Sequence, residues 1–262
     1  MPQWPYRMPT ALRPYVDSCV GYDYRLDPAA THHGVPSMSL TVIIAFDEPL
    51  DCGWLAGDGR DRFTTLVAGL HTRPSLIRTH GRQHGIQLGL TPLGCRALLG
   101  APAAAFAGEL VPGDDERRLP SSLQARLQEA TWPRRFALLE AYLLSRIEAV
   151  EPRAETARAW DVLRGSHGSV RVETLAGDVG LSRRRLLTLV RDEFGLTPSQ
   201  LARVARFEHA RELLRSGIGL AEVAARAGYA DQPHLTREWR AISGMTPRAS
   251  LDDFPILQDD AG

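Results

Sequence analysis

Two rows of side chains, 49 residues apart in the chain, combine residue types that contact nucleic acids. The first row has the i, i+3, i+4, i+7 spacing of one helix face and consists of Arg184, Leu187, Thr188 and Arg191. The second row has the same spacing, is flanked by Gln232 and His234, and consists of Pro233, Thr236, Arg237 and Arg240. Arg, Gln and Thr side chains suit base edges and phosphates in the major groove. The two rows therefore predict recognition of double-stranded DNA.

The position of each arginine along its helix suggests its role. Arg183 and Arg185 flank Arg184 at the start of the first helix, and the sequence leaves open which of the three points into the groove. Arg191 and Arg240 lie further along their helices and are predicted to bind phosphates, which set the register of the protein on the duplex.

Both rows lie in the second helix of a repeated helix pair. Gly195-Leu196-Thr197-Pro198 recurs as Gly244-Met245-Thr246-Pro247, and the helices upstream of each copy share apolar positions. Leading helices are predicted over 172–179 and 219–227, because each is followed by a glycine that tolerates positive φ and then by an N-cap residue. These turn and cap residues are Gly180 with Ser182 in the first pair and Gly228 with Asp231 in the second. Each pair is predicted to be a helix-turn-helix unit.

A single long helix is predicted to join the two units. Thr197-Pro198-Ser199-Gln200 has the form of a capping box, with an N-cap Thr and a Gln at the third helical position. The helix runs to about Ser216, so it spans about 30 Å at about 1.5 Å per residue. This length is close to the ~34 Å repeat of B-DNA. The two recognition helices are therefore predicted to enter successive major grooves on one face of the duplex.

At these positions, residues 156–250 resemble the C-terminal DNA-binding domain of the AraC/XylS family of bacterial transcription regulators. The residues that carry the resemblance are Leu175-Ala176, Gly180-Leu181-Ser182, Leu186, Phe194-Gly195-Leu196-Thr197-Pro198, Arg206-Phe207, Ala210, Leu213-Leu214, Ile218, Glu222-Val223-Ala224, Gly228-Tyr229, Asp231-Gln232, His234-Leu235, Trp239, Gly244 and Thr246-Pro247. The resemblance implies a sequence-specific transcription regulator, with activation as the default expectation, although these residues do not distinguish an activator from a repressor.

The chain departs from the family pattern at two positions of the first recognition helix. Family members usually carry an aromatic residue where Val190 stands and a polar residue where Leu187 stands. The first departure concerns packing alone. The second leaves open which base the helix reads, and an apolar side chain there suits a thymine methyl.

The rest of the chain has a different pattern. Residues 15–90 are strand-rich with closely spaced turn signals, whereas helical periodicity begins at Leu123. We therefore expect an α+β chain with a β-rich sensor or dimerisation domain over 1–118, a helical connector over 119–151, an all-α DNA-binding domain over 152–250 and a tail over 251–262. Family members with the DNA-binding domain last often carry a cupin-like first domain, so the resemblance implies one here.

Partners other than DNA are less well defined by the sequence. The connector carries an apolar row, expected to pair with a second copy of the chain in a homodimer, that consists of Leu123, Leu127, Phe136, Leu139, Leu143 and Ile147. A small-molecule effector and RNA polymerase are left open as partners, and no effector contact is assigned. The alternative function is a helical protein-interaction module attached to an orphan β domain.

Other classes of function lack a supporting motif. His71, His80 and His84 are unlike a metal site, because Gly81 and Gly85 predict a turn and no carboxylate follows at a ligand-like spacing, so no metal or cofactor is predicted. The three cysteines lie in no catalytic motif, and their odd number suits a reducing compartment. Apolar runs are far shorter than the roughly 20 residues of a membrane span. We expect a cytoplasmic protein that is not an enzyme.

Charge is distributed unevenly along a chain whose formal net charge is zero. Residues 155–250 contain 15 Arg against 11 Asp and Glu, whereas the remainder has an acidic excess. The basic charge is thus concentrated in the region predicted to bind DNA.

Overall fold

A computed structural model of the 262-residue chain describes residues 2–115, 118–147 and 152–252. The first part of the chain is rich in strands and the last part is helical. The strands are β1 (Gln3–Pro5), β2 (Val16–Arg25), β3 (Thr31–Gly34), β4 (Leu40–Ala45), β5 (Leu50–Trp54), β6 (Arg60–Phe63), β7 (Thr65–Ala68), β8 (Ser75–Arg78), β9 (Arg82–Leu90) and β10 (Leu110–Pro112). The predicted α+β class and the β-rich first domain are confirmed.

The strands form two antiparallel sheets. The larger sheet has the order β1-β2-β9-β4-β7-β10, and the smaller has the order β3-β8-β5-β6. Tyr22 and Ile43 from the larger sheet share an apolar cluster with Cys52 and Ile77 from the smaller one. The two sheets therefore face each other across a common interior, as in a β-sandwich. Strand β3 is an edge strand that pairs with β8.

In the described part of the chain, four helical segments cover or flank the β domain. They are α1 (Pro92–Leu99), a one-turn 3₁₀ helix (Ala103–Ala105), α2 (Ser121–Glu129) and α3 (Trp132–Arg146). The ring of Trp132 stacks on Trp4 with centroids 4.2 Å apart, and Phe136 stacks on Tyr6 at 4.4 Å. The amide of Gln124 donates a hydrogen bond to the carbonyl of Ala45 at 2.9 Å. The connector helices are thus packed on the β domain of their own chain.

This packing corrects the interpretation of the apolar row in the connector. Leu127 and Leu139 are 0% exposed, and the other buried members belong to the same cluster as the core of the β domain. The hypothesis that the row from Leu123 to Ile147 pairs with a second copy is wrong, because the chain covers this face itself. A homodimer would need a different surface.

The remaining helices form the C-terminal domain. They are α4 (Ala154–Gly165), α5 (Val172–Val179), α6 (Arg183–Phe194), α7 (Pro198–Arg215), α8 (Leu220–Arg226), α9 (Gln232–Ser243) and α10 (Ala249–Asp252). Across the described ranges, none of the helices is both long and apolar enough to cross a bilayer. The predicted domain boundary at 151 and most of the predicted tail, 253–262, lie outside the described residues.

The two domains are in contact through their cores. Trp160 of α4, Leu186 of α6 and Phe194 of α6 belong to one buried cluster with apolar residues of α1 and the larger sheet. A second cluster contains Phe207 of α7 and Trp239 of α9, and Val35, which follows β3, is part of it. The first helix-turn-helix unit therefore shares a core with the β domain, and the second has a separate core that Val35 of the β domain joins.

Candidate nucleic-acid interface

The first helix-turn-helix unit consists of α5 and α6. Gly180, after α5, has φ +72°, a left-handed conformation that costs glycine little. The hydroxyl of Ser182 then caps α6 by accepting a hydrogen bond from the Arg185 N–H at 3.3 Å. Leu186 and Val190, one turn apart on α6, are 0% exposed. These buried positions fix which face of α6 points away from the protein.

The second unit, α8 and α9, repeats this construction. Gly228 has φ +73°, and the Asp231 carboxylate accepts a hydrogen bond from the His234 N–H at 2.6 Å. Leu235 and Trp239, which correspond to Leu186 and Val190, are at most 1% exposed. The second recognition helix is therefore oriented by the same local rules as the first.

Helix α7 connects both units through direct contacts. Its N-terminus has the complete capping box, because Thr197 and Gln200 bond reciprocally. Arg203 Nε donates to Glu238 Oε1 of α9 at 2.8 Å, and Arg206 Nη2 donates to the carbonyl of Gly168, before α5, at 3.2 Å. The 18 residues of this helix span about 27 Å at about 1.5 Å per residue. Contacts at both units make α7 a rigid spacer between the recognition helices.

The outward face of α6 presents most of its predicted DNA contacts to solvent. The exposed members are Arg184, Arg185, Thr188 and Arg191. Leu187 is half-buried, and the Thr188 hydroxyl donates to the Arg184 carbonyl at 3.2 Å. Arg183 is placed differently, since its Nη1 lies 3.0 Å from Glu173 Oε1 of α5. This ion pair directs Arg183 towards the leading helix.

The corresponding face of α9 is also open. Its exposed members are Gln232, Pro233, Arg237 and Arg240. The half-buried Thr236 donates its hydroxyl proton to the Gln232 carbonyl at 3.0 Å. His234, by contrast, turns towards its own unit, where its ring meets Tyr229 edge-on and its Nε2 lies 3.4 Å from Glu238 Oε2. A base contact by His234 stays a prediction and would require this ring to leave Glu238.

The C-terminal ends of both recognition helices are bonded to the β domain. Near the end of α6, the Glu193 carboxylate accepts two hydrogen bonds of 2.6 Å from the guanidinium of Arg96 in α1. At the end of α9, His33 Nδ1 donates to the Ser243 carbonyl at 2.9 Å. The bonded carboxylate raises the pKa of Arg96. Sequence reasoning missed both contacts, because they join residues 97 and 210 positions apart.

The repeated glycine turns are part of the same docking surface. Gly195 and Gly244, which are equivalent in the repeat, have φ +74° and +78°. A Cβ at Gly195 would lie 2.1 Å from the Ala107 Cβ, and one at Gly244 would lie 2.5 Å from the Leu55 Cδ2. These two glycines therefore allow close approach to the β domain as well as ending their helices. The recurrence of these glycines in the two repeated segments is the sequence signal that points to this second role.

A cavity of about 80 Å³ lies between the two sheets of the β domain. Residues that line it include Tyr22, His32, His71, Cys52 and Gln87. His71 donates through Nδ1 to the Gly69 carbonyl at 2.7 Å. Burial lowers the pKa of His71 and lowers that of His32 to about 4, so both imidazoles are neutral at pH 7. Sequence patterns assign no ligand contact to this cavity.

The other histidines considered as metal ligands have different partners. His80 Nε2 lies 3.0 Å from Asp51 Oδ2, and His84 Nδ1 lies 2.8 Å from Asp47 Oδ2. The predicted turn is right for residue 81, which has φ +113°, and wrong for His84 and Gly85, which continue strand β9. Within the described ranges there is no group of three His, Cys, Asp or Glu placed to hold a metal ion.

The three cysteines are buried in this structure. Burial raises the pKa of the Cys52 thiol to about 11 and that of Cys95 to about 12. Neither is therefore a thiolate at neutral pH, which is the form that acts as a nucleophile.

Comparison with known proteins agrees with this architecture. Residues 175–252 match the model of a family described as a helix-turn-helix domain. The HTH-type transcriptional regulator GbdR of Pseudomonas aeruginosa is 26% identical over 206 residues, which are 76% of this chain and 46% of the relative. The chain thus spans about half the length of the curated relatives it matches.

Solved structures of ToxT from Vibrio cholerae have a similar fold. One aligns with a TM-score of 0.58 and 12% identity, covering 89% of this chain and 98% of ToxT. A ToxT structure described as bound to an unsaturated fatty acid aligns with a TM-score of 0.57 and 11% identity, covering 90% of this chain and 96% of ToxT.

The β domain, the duplicated helix-turn-helix unit and these similarities define a two-domain protein whose C-terminal part is a helix-turn-helix domain. The match over residues 175–252 supports the resemblance of the C-terminal domain to that of the AraC/XylS family of transcription regulators.

Proposed function

We propose that this chain recognises specific double-stranded DNA with α6 and α9 in successive major grooves, and that its β domain controls this binding. The observation that carries the proposal is the duplicated unit, in which α7 fixes two recognition helices with exposed basic and polar faces. Basic side chains on a helix that protrudes from a helix-turn-helix unit suit the groove and its phosphates.

The proposed contacts divide into two kinds. Arg184 and Arg237, with Thr188 and Gln232 beside them, read base edges, because guanidinium and amide groups bond to guanine and adenine in the major groove. Arg191 and Arg240 bind phosphates, as do the flanking arginines at the start of α6. Leu187 contacts a thymine methyl. The first kind of contact gives specificity and the second gives position.

The proposed control runs through strand β3. His32 lines the cavity, its neighbour His33 bonds to the Ser243 carbonyl at the end of α9, and Val35 lies in the core of the second unit. As an edge strand, β3 is bonded along one side, to β8. A small molecule bound in the cavity would displace β3 and with it the seat of α9. This molecule would be the effector that controls DNA binding.

Two further partners belong to the proposal as expectations. A regulator that activates transcription contacts RNA polymerase, and a homodimer would bind two copies of the DNA site. Sedimentation velocity of the full chain over a range of concentrations tests the second expectation. A sedimentation coefficient that does not change with concentration and fits a monomer would remove the homodimer.

Selection from a random duplex pool with the full chain tests the proposed DNA binding. We expect the wild type to enrich one motif. The Arg226→Ala control should enrich the same motif, because Arg226 lies on α8 and not on a recognition helix, and pairs with Glu222. The double variant Arg184→Ala, Arg237→Ala should not enrich that motif. Failure of the folded wild type to enrich any motif at low salt would contradict the proposal and favour a protein-interaction module.

A further inference from the structure

His71, which lines the cavity of the β domain, has one imidazole nitrogen that lacks a hydrogen-bond donor. Because His71 Nδ1–H bonds to the Gly69 carbonyl, Nε2 carries the lone pair of the neutral ring and acts as an acceptor. The side chain is 9% exposed, and Nε2 has no hydrogen-bond partner among the described residues. A buried acceptor without a donor is unfavourable and uncommon in native proteins. The ring is held in place by Gly69 on one side and by the edge of the Trp54 ring on the other.

The cavity around this acceptor is lined by uncharged residue types and histidines. Its described lining includes neither Arg nor Asp nor Glu. The charged residues of the adjacent strands, Asp51 and Arg78, line a hollow on the other face of the smaller sheet. A carboxylate or an ammonium group in the cavity would lose its hydration without gaining a partner of opposite charge. An uncharged molecule avoids this cost.

The size and the remaining walls of the cavity limit its ligand further. Its volume of about 80 Å³ is near half of the roughly 150 Å³ cavity that admits benzene. Ile43, Leu66 and Leu110 supply apolar walls, while Ser75 and Gln87 supply neutral polar groups. This combination favours a compact molecule with a short apolar part and one donor group.

We infer that the cavity binds a compact, uncharged molecule that donates a hydrogen bond to His71 Nε2, such as a small alcohol or amide. The inference rests on the proposed control of DNA binding through the β domain, and it names the chemical class of the effector. It also separates this chain from ToxT, for which a structure is described as bound to an unsaturated fatty acid.

Four probes of similar size test this inference on the full chain labelled with ¹⁵N-histidine. They are ethanol, dimethyl ether, acetate and ethylammonium, titrated while the ¹⁵N signal of His71 Nε2 is followed by NMR. We expect ethanol to bind and shift this signal, and the other three to bind at least about tenfold more weakly, the ether because it has no donor and the ions because they are charged. Equal binding by the ether, by acetate or by ethylammonium would overturn the inference, as would the absence of binding by ethanol.

Two variants test the role of His71 itself. His71→Gln keeps a side-chain acceptor and His71→Leu removes it. We expect the affinity for ethanol to be largely retained in the first and to fall about tenfold in the second. Unchanged affinity in His71→Leu would overturn the role of Nε2. If His71→Leu does not fold, the probe series on the wild type still decides the ligand class.

A DNA-binding measurement with the same probes keeps the two proposals separate. If ethanol shifts the His71 signal and changes the affinity for the selected DNA site, both hold. If it shifts the signal while the DNA affinity stays the same, the ligand class stands and control through the cavity is wrong. Control of DNA binding by acetate or ethylammonium, with no effect of ethanol, would overturn the ligand class and leave control by the β domain in place.

Discussion

Arg184 and Arg191 lie two turns apart on the open face of α6, and we propose different DNA contacts for them. Arg184→Ala should weaken binding to the selected site by about 1–3 kcal/mol and relax the preference at one base pair, because a base-edge contact is lost. Arg191→Ala should weaken binding to all sequences alike and make the salt dependence shallower, because a phosphate contact is lost. Fluorescence anisotropy titrations at several salt concentrations, on the selected site and on point-mutated sites, distinguish these results.

The matched control for both variants is Arg226→Ala, which removes an exposed arginine from α8 and leaves the recognition face intact. A uniform loss of affinity in Arg184→Ala would show that this side chain binds phosphate.

The buried histidines of the β domain predict a pH dependence of stability. Burial lowers the pKa of His32 to about 4, below the value of about 6.5 expected in the unfolded chain. Its contribution to stability is therefore complete above pH 6.5 and is lost as the pH falls towards 4, since the unfolded state takes up the proton first. The free energy of unfolding, measured with denaturant at pH 7.5 and pH 5, should be lower at pH 5. His32→Gln should reduce the difference, and an unchanged difference would contradict this assignment.

Sequence reasoning located the local features of the recognition helices better than the orientation of single side chains. The caps at Ser182 and Asp231 form between residues three apart, so a short pattern contains all that they need. The turn of His234 towards Glu238 and the pairing of Arg183 with Glu173 depend on neighbouring side chains in three dimensions. The position of a residue on a helix face does not determine such side-chain contacts.

Among the elements, the turn of the first helix-turn-helix unit offers a matched pair of glycines. Gly177 lies within α5 and Gly180 follows it at φ +72°, and a Cβ at either position would meet nothing within 4 Å. Gly180→Ala should destabilise the chain by about 1 kcal/mol, because an L residue is strained at positive φ. Gly177→Ala should stabilise it by about 0.5–1 kcal/mol, because alanine is the better helix former. Thermal or urea unfolding measures both, and a change of the same sign in both variants would contradict the turn assignment.

The connector shows what an amphipathic pattern determines and what it does not. The apolar row from Leu123 onwards correctly indicated helices with one buried face. It did not indicate the surface that covers this face, because any apolar surface satisfies the same pattern. The covering residues, among them Trp4 and Tyr6, come from the first strand and the segment after it, far away in sequence.

For the whole molecule, the ion pair between Arg96 and Glu193 is the clearest test of how the two domains are held together. Arg96→Ala leaves a buried carboxylate without its cation, so we expect the free energy of unfolding to fall by about 1–3 kcal/mol, less than for a fully buried pair because the arginine is partly exposed. The same change made in a Glu193→Gln background should cost less. Denaturant unfolding of the wild type and these three variants gives the coupling energy.

Arg158→Ala, at an exposed position of α4, serves as the control for this cycle. A coupling energy of zero would mean that the pair does not hold the domains. The pair could not be predicted from the sequence, because its partners lie in different domains and each occurs in an ordinary helix.

The spacing of the two DNA contacts tests the central claim most directly. If α7 holds α6 and α9 rigidly for successive major grooves, the selected site should contain two blocks about 10 bp apart. Inserting about 5 bp between the blocks turns the second to the opposite face of the duplex, and the affinity of the full chain should then fall about to that for one block alone. An unchanged dissociation constant after this insertion would contradict the account of two rigidly linked reading helices.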